Sequence, residues 1–416
     1  MKRTHKTDMA AIGDTLLLYA PVPLYASEDG YLLEDQACNG LRLWSENFER
    51  VIVMHPLEPG KAPPSWIPVR SSGIDLTRVE IVALPSAYRP DRFMRHYRTV
   101  RRQIAQLIDR AQYLSFSIGG LFGDWGSVAA FEAHRKGRRF AVWTDRVESE
   151  VVRHQAQAAP TLKARLRASI YHRPMAMLER AIIRRSTVGL FHGAETHATY
   201  APYAKAAEIV HDIHLSEQDR IPAQELAVKR SDVVSPGPLR ICYLGRANAM
   251  KGTDDWIDVM ATLQSASIDF RATWLGEGEC LPDMKHRVQS LGLDEQVSLP
   301  GFVRDRASLL KALRTAHVFV FCHKTPESPR NLIEALVSGT PIVGYDSPFP
   351  RDLIALNGGG LLTPKDDVHE LAAILVTLAG DRERLADLIG RAALDGGPFN
   401  DVAVFKHRSE VIRAYL

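Results

Sequence analysis

The sequence predicts an α/β protein built as two doubly wound domains. Three observations carry that expectation. At 416 residues the chain is too long for one ordinary core. Short β-branched runs alternate with longer helical patterns throughout, as parallel strands covered by helices on both faces require. The alternation breaks once, over 221–240, in a Pro-containing stretch with no sustained period. The expected organisation is an N-terminal domain over 1–225, a linker over 226–238 and a C-terminal domain over 239–400. A last helix over 401–416 is expected to return to the N-terminal domain.

The first series of strands reads TLLLYA from Thr15, RVIVM from Arg50, VEIVAL from Val79, YLSFS from Tyr113, FAVWT from Phe140 and VGLFH from Val188. The second reads LRICYLG from Leu239, FRATWLG from Phe270, VSLPG from Val297, VFVFC from Val318 and PIVGY from Pro341. Helical patterns follow from Thr253, through Val288, after Asp305 and through Glu334. There is no repeat at a solenoid period.

Composition narrows the function. Hydrophobic residues at 45% and charged residues at 24% are those of an ordinary globular protein. A net charge of +3 gives no field suited to nucleic acid, which is not expected as a partner. Cys38, Cys242, Cys280 and Cys322 are scattered, so free thiols in a reducing compartment are expected, without a zinc site. The start MKRTHKTDMAAIGDT is basic and then polar, without the apolar stretch of an export signal. Apolar runs such as Leu16 to Ala26 fall short of the ~18 residues that span a bilayer. A cytoplasmic chain is expected, with peripheral contact on the membrane left open.

Open parallel sheets bind ligands beyond the carboxyl ends of their strands. In the second series those ends carry Arg246 and Lys251-Gly252, then Gly276-Glu277-Gly278-Glu279, then HKTPESPR running into the helix of Glu334. Arg246, Lys251, Glu327 and Glu334 should therefore converge on one crevice. A guanidinium and an ammonium neutralise a diphosphate without a metal, the first by forked hydrogen bonds and the second as a point charge. A helix opening near Pro329 offers free backbone N–H groups to an anion. Carboxylates accept from pairs of sugar hydroxyls, and the rise of about 7.5 Å from Pro329 to Glu334 lets the two glutamates serve different sugars. Each residue also has an ordinary reading, as a solvated loop charge, a turn glycine or a surface helix residue. No GxGxxG follows the first strand of either series and no GxxxxGK[ST] occurs, so dehydrogenase and P-loop chemistry are not indicated.

These motifs resemble the retaining glycosyltransferases of the GT-B fold, the family-4 type also described as glycosyl transferases group 1. The resemblance rests on YLGRANAMKGTDDWIDVM from Tyr243, WLGEGE from Trp274, VSLPGFV from Val297, ESPRNLIEALVSGTPIVGYDS from Glu327 and GGGLLTPKDDVHELAAIL from Gly358, roughly 237 to 395. It implies two Rossmann-like domains facing each other across a cleft that closes by a hinge. It also implies transfer of a sugar from a nucleoside-diphosphate donor with retention and without a metal cofactor. Arg246 and Lys251 match the diphosphate-binding pair, Glu334 the ribose-binding glutamate, and Glu327 the one facing the donor sugar. Gly276, Ser328, Arg330 and Asn331 complete the donor-binding set. The family places seven residues between its two glutamates, and here there are six, with Pro326 in strict register.

The N-terminal half departs further from the family. Gly30 stands as counterpart of a donor-side double glycine. Asp145-Arg146 stands where relatives carry a histidine, and HDIHL from His211 replaces an Asn-Gly-Val-Asp step. Asp145 is the catalytic candidate there, with helix N-capping as its alternative. His192 reads more readily as a satisfied edge histidine than as a base, and Gly119-Gly120 sits at a strand end where it can shape an acceptor crevice. Arg89, Arg92, Arg95, Arg98 and Arg101, with Arg102, form one basic segment. Lys163, Arg165, Arg167, Arg173, Arg180, Arg184 and Arg185, around Pro174, form a second. They are solvated faces, or they dock on anionic headgroups or a lipid-diphosphate acceptor. The expected partners are a nucleotide-sugar donor and a glycan or lipid-linked acceptor. The alternatives are a non-catalytic nucleotide-sugar-binding subunit, or another enzyme on this architecture such as an epimerase or a phosphorylase.

Overall fold

The computed structural model describes residues 13–158, 162–325 and 327–416, leaving aside the side chains of 154–169. The basic start of the chain up to residue 12 and the side chains of Lys163, Arg165 and Arg167 lie outside the described residues, as does Pro326. Contacts divide the chain into two units. Unit 1 is 1–192, 197–214 and 404–416, and unit 2 is 193–196 and 215–403.

Unit 1 holds β1 (Thr15–Tyr19), β2 (Leu24–Ser27), β3 (Gly30–Glu34), β4 (Arg50–Glu58), β5 (Trp66–Pro68), β6 (Val79–Pro85), β7 (Tyr113–Ser117), β8 (Ala141–Thr144), β9 (Val188–His192) and β10 (Ala207–Val210). Strands β6, β4, β1, β7, β8, β9 and β10 pair in that order and all in parallel. A strand buried on both faces needs a continuous apolar run, and TLLLY of β1 is buried at every position. The antiparallel β2–β3 hairpin and β5 extend the sheet past the end of β4. Gly30 pairs with Ser27 across the turn of that hairpin. It opens β3 with φ +122, a backbone conformation that favours glycine at this turn after the first strand.

Helix Pro90–Asp109 starts on a proline, which supplies a helical φ and lacks only an N–H that has no partner there anyway. Val100, Ile104, Leu107 and Ile108 are its buried stripe, so the Arg92, Arg95, Arg98 and Arg102 side chains are left outward. The last helix, Asp401–Tyr415, contributes 404–416 to unit 1. Its Arg408 is buried, with the guanidinium about 5.0 Å from the Trp44 and Trp143 ring centres and 3.4 Å from Asp212. The delocalised guanidinium is weakly hydrated, which makes it the cation best suited to such a ring-lined place.

Unit 2 holds β11 (Leu239–Leu244), β12 (Phe270–Leu275), β13 (Val297–Gly301), β14 (Val318–Phe321), β15 (Ile342–Tyr345) and β16 (Gly360–Thr363). Their order is β13-β12-β11-β14-β15-β16, all parallel. Counted within the unit this is 3-2-1-4-5-6, with its topological switch point between β11 and β14.

The stretch expected as a linker over 226–238 is largely helical. Helix Ala223–Val234 belongs to unit 2 and buries Lys229 and Val233. The Lys229 ammonium donates to Thr340 Oγ1 at 2.7 Å and lies near the carbonyls of Ser338 (3.4 Å) and Leu313 (3.5 Å), at the ends of two helices. An aperiodic sequence hid this helix because its packing rests on a buried lysine. Burial lowers the Lys229 pKa to about 7.

An unfolded lysine keeps a pKa of ~10.4, so above pH 7 the unfolded chain binds more protons at this residue, and stability should rise with pH. Burial raises the thiol pKa of Cys242 and Cys322. They oppose the trend only above the ordinary thiol value of ~8.5. Denaturant unfolding at pH 7.0 and 8.3 should therefore show a gain of up to about 1 kcal/mol per pH unit that Lys229→Met removes. An equal gain in Lys229→Met would assign it to other groups.

Candidate active site

The switch point of unit 2 is assembled by backbone bonds between loops. After β11 the chain makes a short turn, Ala249–Lys251, and enters helix Thr253–Ser265 through Gly252. Gly252 has φ +66, and a Cβ on it would lie 2.0 Å from the Cys322 carbonyl oxygen just past β14. Only glycine permits that approach. The Lys324 N–H then donates to Met250 O at 2.8 Å, fixing the loop after β14 to the loop after β11. On the other side the Ala247 N–H donates to Glu277 O at 2.9 Å. A Cβ on Gly276 would lie 2.0 Å from Gly245 O, so Gly276 serves this loop–loop contact.

Those bonds bring Lys251 and Glu327 together. The ammonium donates to Glu327 Oε1 at 2.6 Å, with the side chains 14% and 17% exposed. Beside them lies His323, its Nδ1 3.9 Å from Glu327 Oε1 and its Nε2 2.9 Å from the Tyr243 hydroxyl. Burial, with Lys251 adding to it, holds the His323 pKa well below the usual value, so the ring is neutral and shares one hydrogen bond with the tyrosine hydroxyl. Burial and then Glu327 push the Tyr243 hydroxyl well up, which keeps it protonated.

Helix Arg330–Val337 begins here, with Pro329 as its N-cap residue and no capping side chain. Arg330 is its first residue, and Pro329 lies one position earlier than the first-turn placement expected from sequence. Asn331 Nδ2 donates to Leu244 O at the end of β11. Ser328 is buried. Glu334 lies one turn on, with Arg306 Nη1 3.9 Å away and its side chain 24% exposed. Desolvation raises its pKa against the pull of Arg306 and Arg330. Arg246 is exposed at the end of β11, and no carboxylate pairs with it among the described residues. The chemistry of this edge is two cations and two carboxylates beside a helix start, suited to a charged phosphate ester of a polyol.

His323, Tyr243 and Arg306 were not singled out from sequence. Arg306 opens the helix after β13, and the strand-end rule applied to that loop would have found it. The register position Pro326 lies outside the described residues, but Glu327 reaches the Lys251 ammonium despite the shorter spacing.

In unit 1, Asp145 is half-buried three residues before helix Glu148–Ala158, so it is not the N-cap of that helix. The neighbouring carboxylate Glu148 pairs with Arg146 at 2.6 Å and packs against Gly119. Burial raises its pKa. His192 is buried, and its Nδ1 accepts from the Asp212 N–H at 3.0 Å, as a satisfied edge histidine does. The Gly119 and Gly120 N–H groups are held by Asp124 Oδ2 at 3.2 and 3.4 Å. Helix Leu162–Ile183 continues through Pro174. Among the described residues no helix is long and apolar enough to cross a membrane.

Residues 227–394 match the family described as glycosyl transferases group 1. The amylovoran biosynthesis glycosyltransferase AmsK of Erwinia amylovora is 26% identical over 182 residues, 42% of this chain and 44% of that protein. Three of the curated relatives are spanned to 44%, 48% and 46% of their length, so the chain covers less than half of each. Anabaena Alr3699/HepE, solved in complex with UDP, superposes with a TM-score of 0.65 at 15% identity, over 97% of this chain and 100% of that one. Sucrose-phosphate synthase from Thermosynechococcus elongatus gives 0.64 at 14%, over 96% and 98%. The fold is the GT-B architecture of two Rossmann-like parallel-sheet domains.

The Lys251–Glu327 pair is testable without substrate. Removing one partner leaves the other largely buried and uncompensated, so Lys251→Met and Glu327→Gln should each destabilise the fold. The double variant should lose less than their sum, with a coupling of about 1–3 kcal/mol. Additive losses in denaturant unfolding would mean the two groups do not interact in solution.

Proposed function

We propose that the chain is a metal-independent, retaining glycosyltransferase that moves a sugar from a nucleoside-diphosphate donor to a hydroxyl of a glycan or lipid-linked acceptor. The observation that carries this reading is the Lys251–Glu327 pair at the switch point of unit 2, with Arg246 exposed on the same strand end. AmsK, named as an amylovoran biosynthesis glycosyltransferase, and the UDP complex of Alr3699/HepE support it. In this reading Arg246 forks onto the diphosphate, Lys251 neutralises it as a point charge, and the N–H groups at Arg330 and Asn331 face the same anion. Glu334 takes the ribose hydroxyls, and Gly276 keeps the loop after β12 close enough for Ser328 and its neighbours to line the site. As the bond from the anomeric carbon to the diphosphate breaks, its electron pair leaves with the diphosphate. The acceptor oxygen forms the new bond on the same face and passes its proton to the departing diphosphate oxygen. Glu327 holds a donor-sugar hydroxyl through that step. Asp145 and Glu148 are the carboxylates that unit 1 offers to the acceptor.

The setting proposed is the cytoplasm, at the surface of an anionic membrane. Free thiols at Cys38, Cys242, Cys280 and Cys322 agree with a reducing compartment. Met94 is 77% and Tyr97 37% exposed among the outward arginines of helix Pro90–Asp109, an apolar and basic mixture suited to a headgroup layer.

Two measurements test the reading. Arg246→Ala should weaken binding of a bare nucleoside diphosphate by about 1.5–3 kcal/mol, while wild-type turnover should survive EDTA. Unchanged affinity, or turnover lost in EDTA and restored by magnesium, would sink the metal-free diphosphate assignment.

The glutamates should separate by ligand. Glu327→Gln should lower turnover and spare the bare nucleoside diphosphate, because contacts to the reacting sugar act on the transition state. Glu334→Gln should weaken the bare nucleotide through its ribose. Titration of each variant with nucleotide and with donor reads the difference. Equal losses on both ligands in both variants would contradict the assignment.

A further inference from the structure

The outward arginines of unit 1 are not evenly spread. Arg98, Arg101 and Arg102 on helix Pro90–Asp109 and Arg135 on helix Trp125–Arg135 line a cavity of about 370 Å³, together with Ala105 and Glu132. That volume lies at the lower end of the ~300–1,000 Å³ of small-ligand sites. At its base is Glu132, whose side chain is 2% exposed. Arg101 Nε donates to it at 2.9 Å, and Arg135 binds it through Nε at 3.1 Å and Nη2 at 2.5 Å. The arginine side chains are 41% and 61% exposed, so each is held at one edge while its remaining N–H groups face solvent. Arg135, chiefly, and Arg101 hold the Glu132 carboxyl down to about 2, so it stays an anion at every physiological pH. Arg98 and Arg102, one turn apart, are exposed and have no carboxylate partner among the described residues. Four guanidinium groups against one carboxylate leave a net charge of +3 around one concavity. Two of the four are fixed in advance, which lowers the ordering cost of receiving a ligand.

The place in the fold separates this cavity from sugar transfer. Helix Pro90–Asp109 leaves the carboxyl end of β6 and returns to the start of β7, and helix Trp125–Arg135 follows β7. Arg102 lies 12 residues along its helix, about 18 Å from the strand-end edge where Rossmann-like units bind substrates.

We propose that Arg98, Arg101, Arg102 and Arg135 form an anion site, braced by Glu132, for a phosphate-bearing ligand: either a phosphorylated lipid headgroup or a soluble polyphosphate. Forked N–H pairs match phosphate oxygens, and the three surplus charges match a di- or triphosphate better than a carboxylate. The site is independent of the transfer reaction and of the apolar contacts of Met94 and Tyr97.

The test titrates inorganic pyrophosphate into the full chain by calorimetry at low salt, in an Arg246→Ala background that weakens the candidate donor site. Binding should persist there and fall at least tenfold on adding Arg98→Ser and Arg102→Ser, both exposed positions. Glu132→Gln should weaken it less, because it loosens the brace while sparing the four charges. A parallel arm measures cosedimentation with phosphatidylglycerol vesicles against phosphatidylcholine. If the serine pair also abolishes vesicle binding, and pyrophosphate competes with vesicles, the ligand is a headgroup. If pyrophosphate binding is lost while vesicle behaviour is unchanged, the ligand is soluble, and any membrane contact lies elsewhere. Pyrophosphate binding that ignores the serine pair, or is absent in the Arg246→Ala background, overturns the site.

Discussion

In a doubly wound sheet, two neighbouring strands whose connections run to opposite sides leave a gap between their loops, and everything assigned to unit 2 depends on how that gap is held. Here it is held by backbone. Gly252 lies against the Cys322 carbonyl, and the Lys324 N–H reaches Met250 O, so the loops after β11 and β14 cannot move apart independently. The Lys251–Glu327 pair is a consequence of that contact. Each side chain comes from a different loop, and both are largely desolvated. Neither would be tolerated there alone, because an unpaired charge in such a place costs several kcal/mol. Close packing of main chain is thus what allows two opposite charges to wait together at the strand ends.

Around that pair the environment separates the protonation behaviour of its neighbours. His323 is kept neutral and Tyr243 protonated, while Glu334 is pushed towards its neutral form by burial and restrained by Arg306 and Arg330. A neutral histidine beside Glu327 adds no second cation to compete with Lys251. The ammonium is therefore the one group of the network that a phosphate would draw away. Its departure would leave Glu327 free to accept a hydroxyl. In the proposed function, charge neutralisation and hydroxyl recognition would be linked through this single hydrogen bond, so a ligand carrying only one of the two features would satisfy the site incompletely.

Legibility in the sequence follows burial. Parallel strands such as β1 and β14 were readable because strands covered on both faces must be continuously apolar, as TLLLY and VFVF are, while the edge strands β10 and β16, only partly buried, were not read. The β2–β3 hairpin and β5 were not, since they are short, half-exposed and carry a mixed pattern. Helix Ala223–Val234 was missed because its inward face is built on Lys229, a residue that periodicity counts as polar. At the site, Arg246, Lys251, Glu327 and Glu334 could be located because strand ends define one edge. His323 and Tyr243 could not, since their importance lies in a tertiary hydrogen bond.

The same limit explains why charge counting underrates unit 1. Over the whole chain the basic excess is only +3, and a run of arginines on a helix ordinarily reads as a solvated face. A solvated face, however, needs no buried partner. Glu132 is buried on the neighbouring helix and takes three N–H donors from Arg101 and Arg135. Burying a carboxylate is costly, and a surface whose only task is solubility would gain nothing from doing so. What the carboxylate does is fix the direction of two guanidinium groups whose charges it does not fully cancel, beside two more that it leaves untouched. Orientation without neutralisation is the arrangement that anion recognition needs, and it is visible only once both helices are in place.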